Sequence, residues 1–329
     1  MPIPNVPGTP GFFAHGSPGG TPYTVLSSDW ANAVQMELCN VITTAGLTLS
    51  KTDQTQLLQA MQKLCRIKLS TTLDLYVAVT GNDSNNGTSP STPLRTLQQA
   101  VYHIYTYYEL AGNTVVVHVG NGTYTGGASH WRGINGTIKF VGNEATPSLC
   151  KIQLAVGGNC FAASNGAVLW VSGFALEATH GSNTIPLWSA ADVGLWSGIG
   201  SQLIFEKMAF GPMTYAHIWA GTGAWVGPPG EFTTYTIYGG ANHHIAVSNG
   251  AVVSLASIRA TVTGNPAFVS YFAYADASGF IWAPYAVFTG AATGTRYGAH
   301  NGSLITTLGG GPNFFPGSIA GISTTGYYQ

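Results

Sequence analysis

Charge is what this sequence has least of. Only 7% of its 329 residues are Asp, Glu, Lys or Arg, against about 25% in an ordinary soluble globular protein. Eleven basic and 12 acidic residues leave a net charge of −1. From Gly211 to Gln329 the charges are Glu231, Arg259, Asp276 and Arg296 alone. The surface must then be covered by uncharged polar and aromatic groups. Whatever it binds is bound by uncharged chemistry, which suits sugars or a neighbouring protein chain. No basic cluster exceeds the loose group Lys63, Arg66 and Lys68, so counterion release has no source and no nucleic-acid partner is expected.

Other absences exclude further classes. The sequence has no run of 18 apolar residues free of Gly or polar interruption, and its opening "MPIPNVPGTPGFFAHGSPGG" has neither a basic n-region nor an apolar h-region. Neither membrane insertion nor a signal peptide is expected. Cys39, Cys65, Cys150 and Cys160 lack CxxC or metal-ligand spacing, so they read as reduced, buried cysteines rather than a disulfide framework. The loop Asn82 to Gly87 resembles a calcium loop, but Gly87 stands at its fifth position and no Glu follows at the twelfth; a plain turn is expected, with no metal and no cofactor. The Asn-x-Ser/Thr sites at Asn86, Asn121, Asn135 and Asn301 matter only in a eukaryotic secretory pathway, to which nothing points.

What the sequence does have is 44 glycines, 12% aromatics and a clear order of segments. Residues 1–24 are rich in Pro and Gly without periodicity and read as an extended arm, with Phe12, Phe13 and Tyr23 as apolar anchors. Residues 25–70 read as a helical hairpin. Ser28 is the expected N-cap of a first helix carrying Trp30, Val34, Leu38, Val41 and Ile42 on one face, ended by Gly46. Ser50, with Asp53 at the capping-box position, is expected to start a second helix striped by Leu57, Leu58, Met61, Leu64 and Cys65. Such a hairpin cannot hide both stripes alone and should pack against the body or against copies of itself.

Residues 71–112 follow as a strand, "LYVAVT", a turn-rich loop, and a helix whose expected N-cap is Thr92 with Pro93 at N1, ending at Gly112. From residue 113 to 310 one phrase recurs: "SNGAVLWVSGFAL", "GIGSQLIFEKMAF", "SNGAVVSLASIRAT", "DASGFIWAPYAVFT" and "HNGSLITTLGG". Each is a tight turn followed by a short alternating strand. Their glycines, at 166, 200, 250, 279 and 302, are 34, 50, 29 and 23 residues apart, as stacked coils with loops of unequal length would be. One coil cannot bury its inward face, whereas coils about 4.8 Å apart pair strand with strand and bury a column. The reading is mainly β, a right-handed parallel β-helix, with the 71–112 helix capping its open end and a Gly/Pro-rich segment, 311–329, closing the chain. A β-sandwich also has alternating strands but gives no reason for the leading helix.

The run "YVAVTGNDSNNGTSPSTPLRTLQQAV" resembles the start of the pectate-lyase-like β-helix of bacteriophage tail spikes and tail fibres. "LSSDWANAVQMELCNVITTAGLTLSKTDQTQLLQAMQKL" resembles the module that precedes such β-helices, and "GGGPNFFPGSIAGISTTGYYQ" is similar to their Gly/Pro-rich close. The resemblance implies a homotrimeric virion structural protein, assembled in the bacterial host cytoplasm. It would be attached to a phage tail or baseplate protein through residues 1–70 and would face the host's cell-surface polysaccharide. A free bacterial carbohydrate-active or adhesive protein is disfavoured by the expected lack of a signal peptide.

Many such proteins cleave the glycan they bind, which for a glycosidase takes two carboxylates. From Val115 on, the acids are Glu144, Glu177, Asp192, Glu206, Glu231 and Asp276. Glu177 and Glu206 are the best pairing, expected to follow equivalent strands of successive repeats, though Lys207 is placed to neutralise Glu206. No aspartate cluster with Gly-His-Gly, nor one with a basic residue, is present, so enzyme activity stays secondary to binding. Candidate glycan-binding residues are Trp188, Trp196, Trp219, Trp225, Tyr235, Tyr238 and His243, in segments between the repeat phrases that read as projecting loops. Packing inside the solenoid is the alternative for each. His243 and His244 are adjacent, so on a strand they point to opposite faces and make no metal pair.

Overall fold

The computed structural model describes residue 19, residues 27–179 and residues 192–329. The arm at 1–24, apart from Gly19, and Trp188 lie outside the described residues. The described residues form two compact units, divided between Ile67 and Lys68.

In the first unit, helix α1 spans Ser28–Thr44 and α2 spans Gln56–Leu64. The cap of α1 is Ser27, one residue earlier than expected, its hydroxyl accepting the Trp30 N–H at 3.2 Å. Helix α2 starts six residues after Ser50, not at it. Asp53 spends its carboxylate on the Thr55 N–H and hydroxyl at 2.8 and 2.6 Å, holding 53–55 in an Asx turn that competes with the helix. Gln56 then bridges back to Ser50 N and Thr48 O. Leu57, Leu58, Met61 and Leu64 remain exposed. No helix among the described residues is long and apolar enough to cross a membrane.

The second unit is a parallel β-solenoid of about eight turns. Most coils contribute a strand to each of three sheets. The first sheet has ten strands, from Leu73–Val77 and Thr114–Val119 to Leu304–Thr306 and Tyr327–Tyr328; the second has seven, from Gly122–Tyr124 to Val287–Thr289; the third has eight, from Ala128–His130 to Ile322–Ser323. The pairings in these sheets are parallel from coil to coil, as in Val168↔Gln202 and Gln202↔Trp225, with register shifts at Leu176/Ala178, Ala241/His243 and Ala267/Tyr271. The C-terminal segment thus adds strands to the first and third sheets.

Alternation makes the core. Val115, Ile138, Leu169, Leu203, Val226, Val253, Ile281 and Ile305 stack in one column by register, and each is completely buried. Burying one such side chain contributes about 1.5–3 kcal/mol. The column continues through the long "IWAGTGAWVGPPGEFTTYTIYGGANHH" stretch, which is not a set of projecting loops. It forms the strands Ala216–Ala220, Trp225–Gly227, Thr234–Ile237 and Ala241–Val247, because Thr222-Gly223 supplies a coil turn that lacks the Asn-Gly signature.

Those turns explain the repeated dipeptides. Asn165-Gly166, Ile199-Gly200, Thr222-Gly223, Asn249-Gly250 and Asn301-Gly302 all have two successive residues at positive φ, between 50° and 74°. In the "DASGF" coil the pair is Ala277-Ser278, one residue before the expected glycine. The turns pair with one another: the N–H of Gly166 donates to Ile199 O, Gly200 to Thr222 O, Gly223 to Asn249 O and Gly250 to Ala277 O, at 3.0–3.2 Å. Hydrogen bonding therefore runs unbroken around this corner, which helps to hold Ile199 and Thr222 in a conformation that β-branched residues normally avoid.

The capping helix, α3, spans Leu97–Tyr107 and begins five residues later than Thr92. Leu94 is the reason. It pairs with the first sheet, donating to Tyr76 O and accepting from Ala78 N at 2.9 Å, so residues 92–95 cannot be helical. Thr96 caps α3, and Asp83 from the turn-rich loop receives the Arg95 and Thr96 N–H groups at 2.8 and 2.9 Å. The helix buries Leu97, Ala100, Val101 and Ile104 against the first coil.

Candidate functional site

Strict alternation breaks on the third sheet, and the break shapes its outer surface. Along the strand Ala267–Ala275, neighbours Phe272 and Ala273 both join the core. Ile245 also lies in the core, and its neighbour His244 is completely buried against Phe268 and Phe272. A strand that turns two successive side chains inward bends there, and the outward side chains on either side lean together. Tyr271 and Tyr274 accordingly stack with ring centroids 5.4 Å apart at 16°, and His243 stacks on Tyr274 at 4.9 Å and 23°.

The result is a groove of about 380 Å³ whose lining includes Tyr215, Asn242, His243, Tyr271, Tyr274 and His300. Trp219 extends the aromatic run beyond it, edge-on to Tyr215 at 5.1 Å, and Trp196 is the register partner of Trp219 on the preceding coil. Gly298, the register partner of Tyr274, leaves room for the Tyr271 ring: a Cβ there would come within 2.7 Å of it. At one end His300 Nδ1 meets Thr324 Oγ1 at 2.8 Å, and Asp276 accepts from Tyr274 Oη at 3.1 Å and Asn301 Nδ2 at 2.7 Å.

His243 is only 5% exposed, and its Nδ1 has no hydrogen-bond partner among the described residues. Burial lowers its pKa to about 4, opposed in part by the Tyr271 backbone, so the ring is neutral at physiological pH. Burial and then the Asp276 charge push Tyr215 up to about 12, and the same two causes raise Tyr274. Stacked rings with hydroxyl, amide and imidazole groups at their edges match the apolar faces and hydroxyl rims of sugars.

The residues singled out from sequence are distributed unevenly. Trp196, Trp219 and His243 come together on the outer face of the third sheet. Trp225 stands apart on the first sheet. Tyr235, 3% exposed, faces inward, where its hydroxyl meets His244 Nε2 at 2.9 Å. Tyr238 is tied to Glu177 Oε1 at 2.9 Å. His243 and His244 do face opposite sides: His244 Nδ1 contacts His217 Nδ1 at 2.9 Å in the core, and no metal-binding cluster occurs among the described residues. Tyr271, Tyr274 and His300, all in the groove, were not singled out.

Glu177 and Glu206 do not follow equivalent strands. Glu206 ends a strand of the first sheet, in register with Ser172, whereas Glu177 lies on the second, in register with Gln153. Glu177 pairs with Lys151 at 2.7 Å and accepts from Gln153 at 3.0 Å. Glu206 pairs with Lys139 at 3.7 Å and accepts from Trp170 Nε1 at 3.2 Å. Lys207 bonds instead to Glu144, which lowers the Glu144 pKa.

No family model matches this sequence, and no curated protein matches it. Among solved structures the chain is similar to a crystal structure of Escherichia coli YbhC, with a TM-score of 0.39 and 13% identity over 96% of this chain and 80% of that one.

Proposed function

We propose that this β-solenoid is a phage tail fibre or tail spike protein that recognises a host surface glycan through the third-sheet groove. The observation that carries the glycan part is the convergence of Tyr271, Tyr274 and His243 across the bend, beside Tyr215 and the polar edge of His300 and Asn301. The tail assignment is supported by the resemblance of residues 76–101 and of the helical module to phage β-helix proteins. In this reading residues 1–70 attach to the tail, the chain works as a homotrimer within the virion, and the apolar stripe of α2 is covered in that assembly.

Recognition without cleavage is favoured over depolymerisation because Glu177 and Glu206 sit on different sheets, each beside a lysine. The deciding experiment is a thermal-shift and product-release screen of the purified chain against surface polysaccharides from candidate bacterial hosts, with light scattering on the same sample. Stabilisation without new reducing ends, from a three-chain particle, is the expected outcome. Shortened glycan would move the reading to a depolymerase. A monomer that responds to no glycan would remove it.

A further inference from the structure

Building on glycan recognition at the groove, we infer that its ligand is an uncharged glycan and that acidic polysaccharides are excluded. Among the described residues, no lysine or arginine lines the groove. The full charge beside it is negative: Asp276, held in place by the Tyr274 hydroxyl, the Asn301 amide and the Ala277 N–H. Its field reaches across the aromatic wall, since it helps to raise both Tyr215 and Tyr274. A uronate or sialate carboxylate entering here would approach a like charge and meet no guanidinium or ammonium to pair with.

The polar groups present fit a neutral sugar instead. Asn242, Ser270, His300, Asn301, Thr324 and Thr325 contribute amides, hydroxyls and an imidazole, which offer both donors and acceptors, as sugar hydroxyls do. Deeper in, His243 is buried and its ring is neutral, so it adds no attraction for an anion.

The test is affinity of the full chain at pH 8 for matched panels of neutral and uronic-acid-bearing polysaccharides. Tyr271→Ala, Ser270→Trp and Thr324→Lys are measured alongside, with far-UV circular dichroism confirming that each folds. Neutral glycans should bind at least tenfold tighter than acidic ones. Tyr271→Ala or Ser270→Trp, which empties or fills the groove without touching the core column, should weaken that binding at least tenfold, and Thr324→Lys should raise acidic binding about tenfold. Tighter binding of acidic glycans, lost in Ser270→Trp, would overturn the charge assignment and leave glycan recognition standing. Glycan binding indifferent to all three variants would overturn the groove assignment, and binding of neither class would overturn the functional reading itself.

Discussion

Tyr271 and Tyr274 are three residues apart on one strand, yet their rings stack at 5.4 Å, because the two residues between them both turn into the core. In an evenly alternating strand, residues three apart point to opposite faces. The aromatic groove is therefore a property of the bend and depends on what lies under it.

Gly298→Ala tests that dependence. The three atoms nearest its added methyl all belong to the Tyr271 ring, a side chain that can swing outward. The melting temperature should stay within a few degrees of the native value while glycan affinity falls severalfold, as read by paired thermal-shift and titration calorimetry. Unchanged affinity would show that the stacking geometry is irrelevant to binding.

Acid should destabilise the solenoid through its buried histidines. Burial lowers His130 and His243 to about 4 and His217 to about 3, and His244 lies well below the ordinary range. These groups are depressed in the folded state, so folding is unpenalised above an unfolded pKa of roughly 6.5. As pH falls below that value the unfolded chain takes up protons that the folded chain refuses, and each histidine costs up to about 1.4 kcal/mol per pH unit until its folded pKa is reached. Urea midpoints should drop steadily from pH 7 to pH 4. His217→Phe should flatten that slope if it folds, and a flat native profile would contradict the neutral assignments.

The core column predicts position-specific losses. Leu203→Ala removes a completely buried side chain from the stack and should cost about 2–5 kcal/mol. Its neighbour Ile204 faces outward and is only partly buried, so Ile204→Ala should cost well under half as much. Equal losses in chemical denaturation would refute the assigned register.

The double variant Glu177→Gln with Glu206→Gln should leave glycan affinity and glycan chain length unchanged. Partly exposed ion pairs contribute only about 0–1 kcal/mol each, so the fold should survive. A glycan that the native chain shortens and this variant does not would restore the two carboxylates to a catalytic role.

Much of the coil architecture was legible because it rests on signals that period-two reading detects: Asn-Gly turns, then alternating strands such as "AVLWV" and "AVVSL". The coil opened by Thr222-Gly223 was not, since threonine occupies the asparagine position and the spacing from Gly200 to Gly250 is that of two coils, 23 and 27 residues, rather than one. Treating that span as loops placed Tyr235 at the surface when it belongs to the core. The groove escaped for a related reason: a bend with Phe272 and Ala273 both inward violates alternation, so Tyr271 and Tyr274 look opposed in sequence. The helix starts failed through local competition, Asp53 folding its own turn and Leu94 joining a sheet, neither of which a capping pattern reveals.

The column of mutually bonded turns has a mechanical consequence. Its hydrogen bonds, like those of the three sheets, run from coil to coil, so a pull along the stack loads the outermost coil first and leaves those behind it intact. Register partners such as Gln202 and Trp225, or Val168 and Gln202, put 23 to 34 residues in a coil. At about 3.3–3.6 Å per extended residue, a stretched molecule would lengthen in successive steps of roughly 8–12 nm, yielding by increments instead of failing all at once.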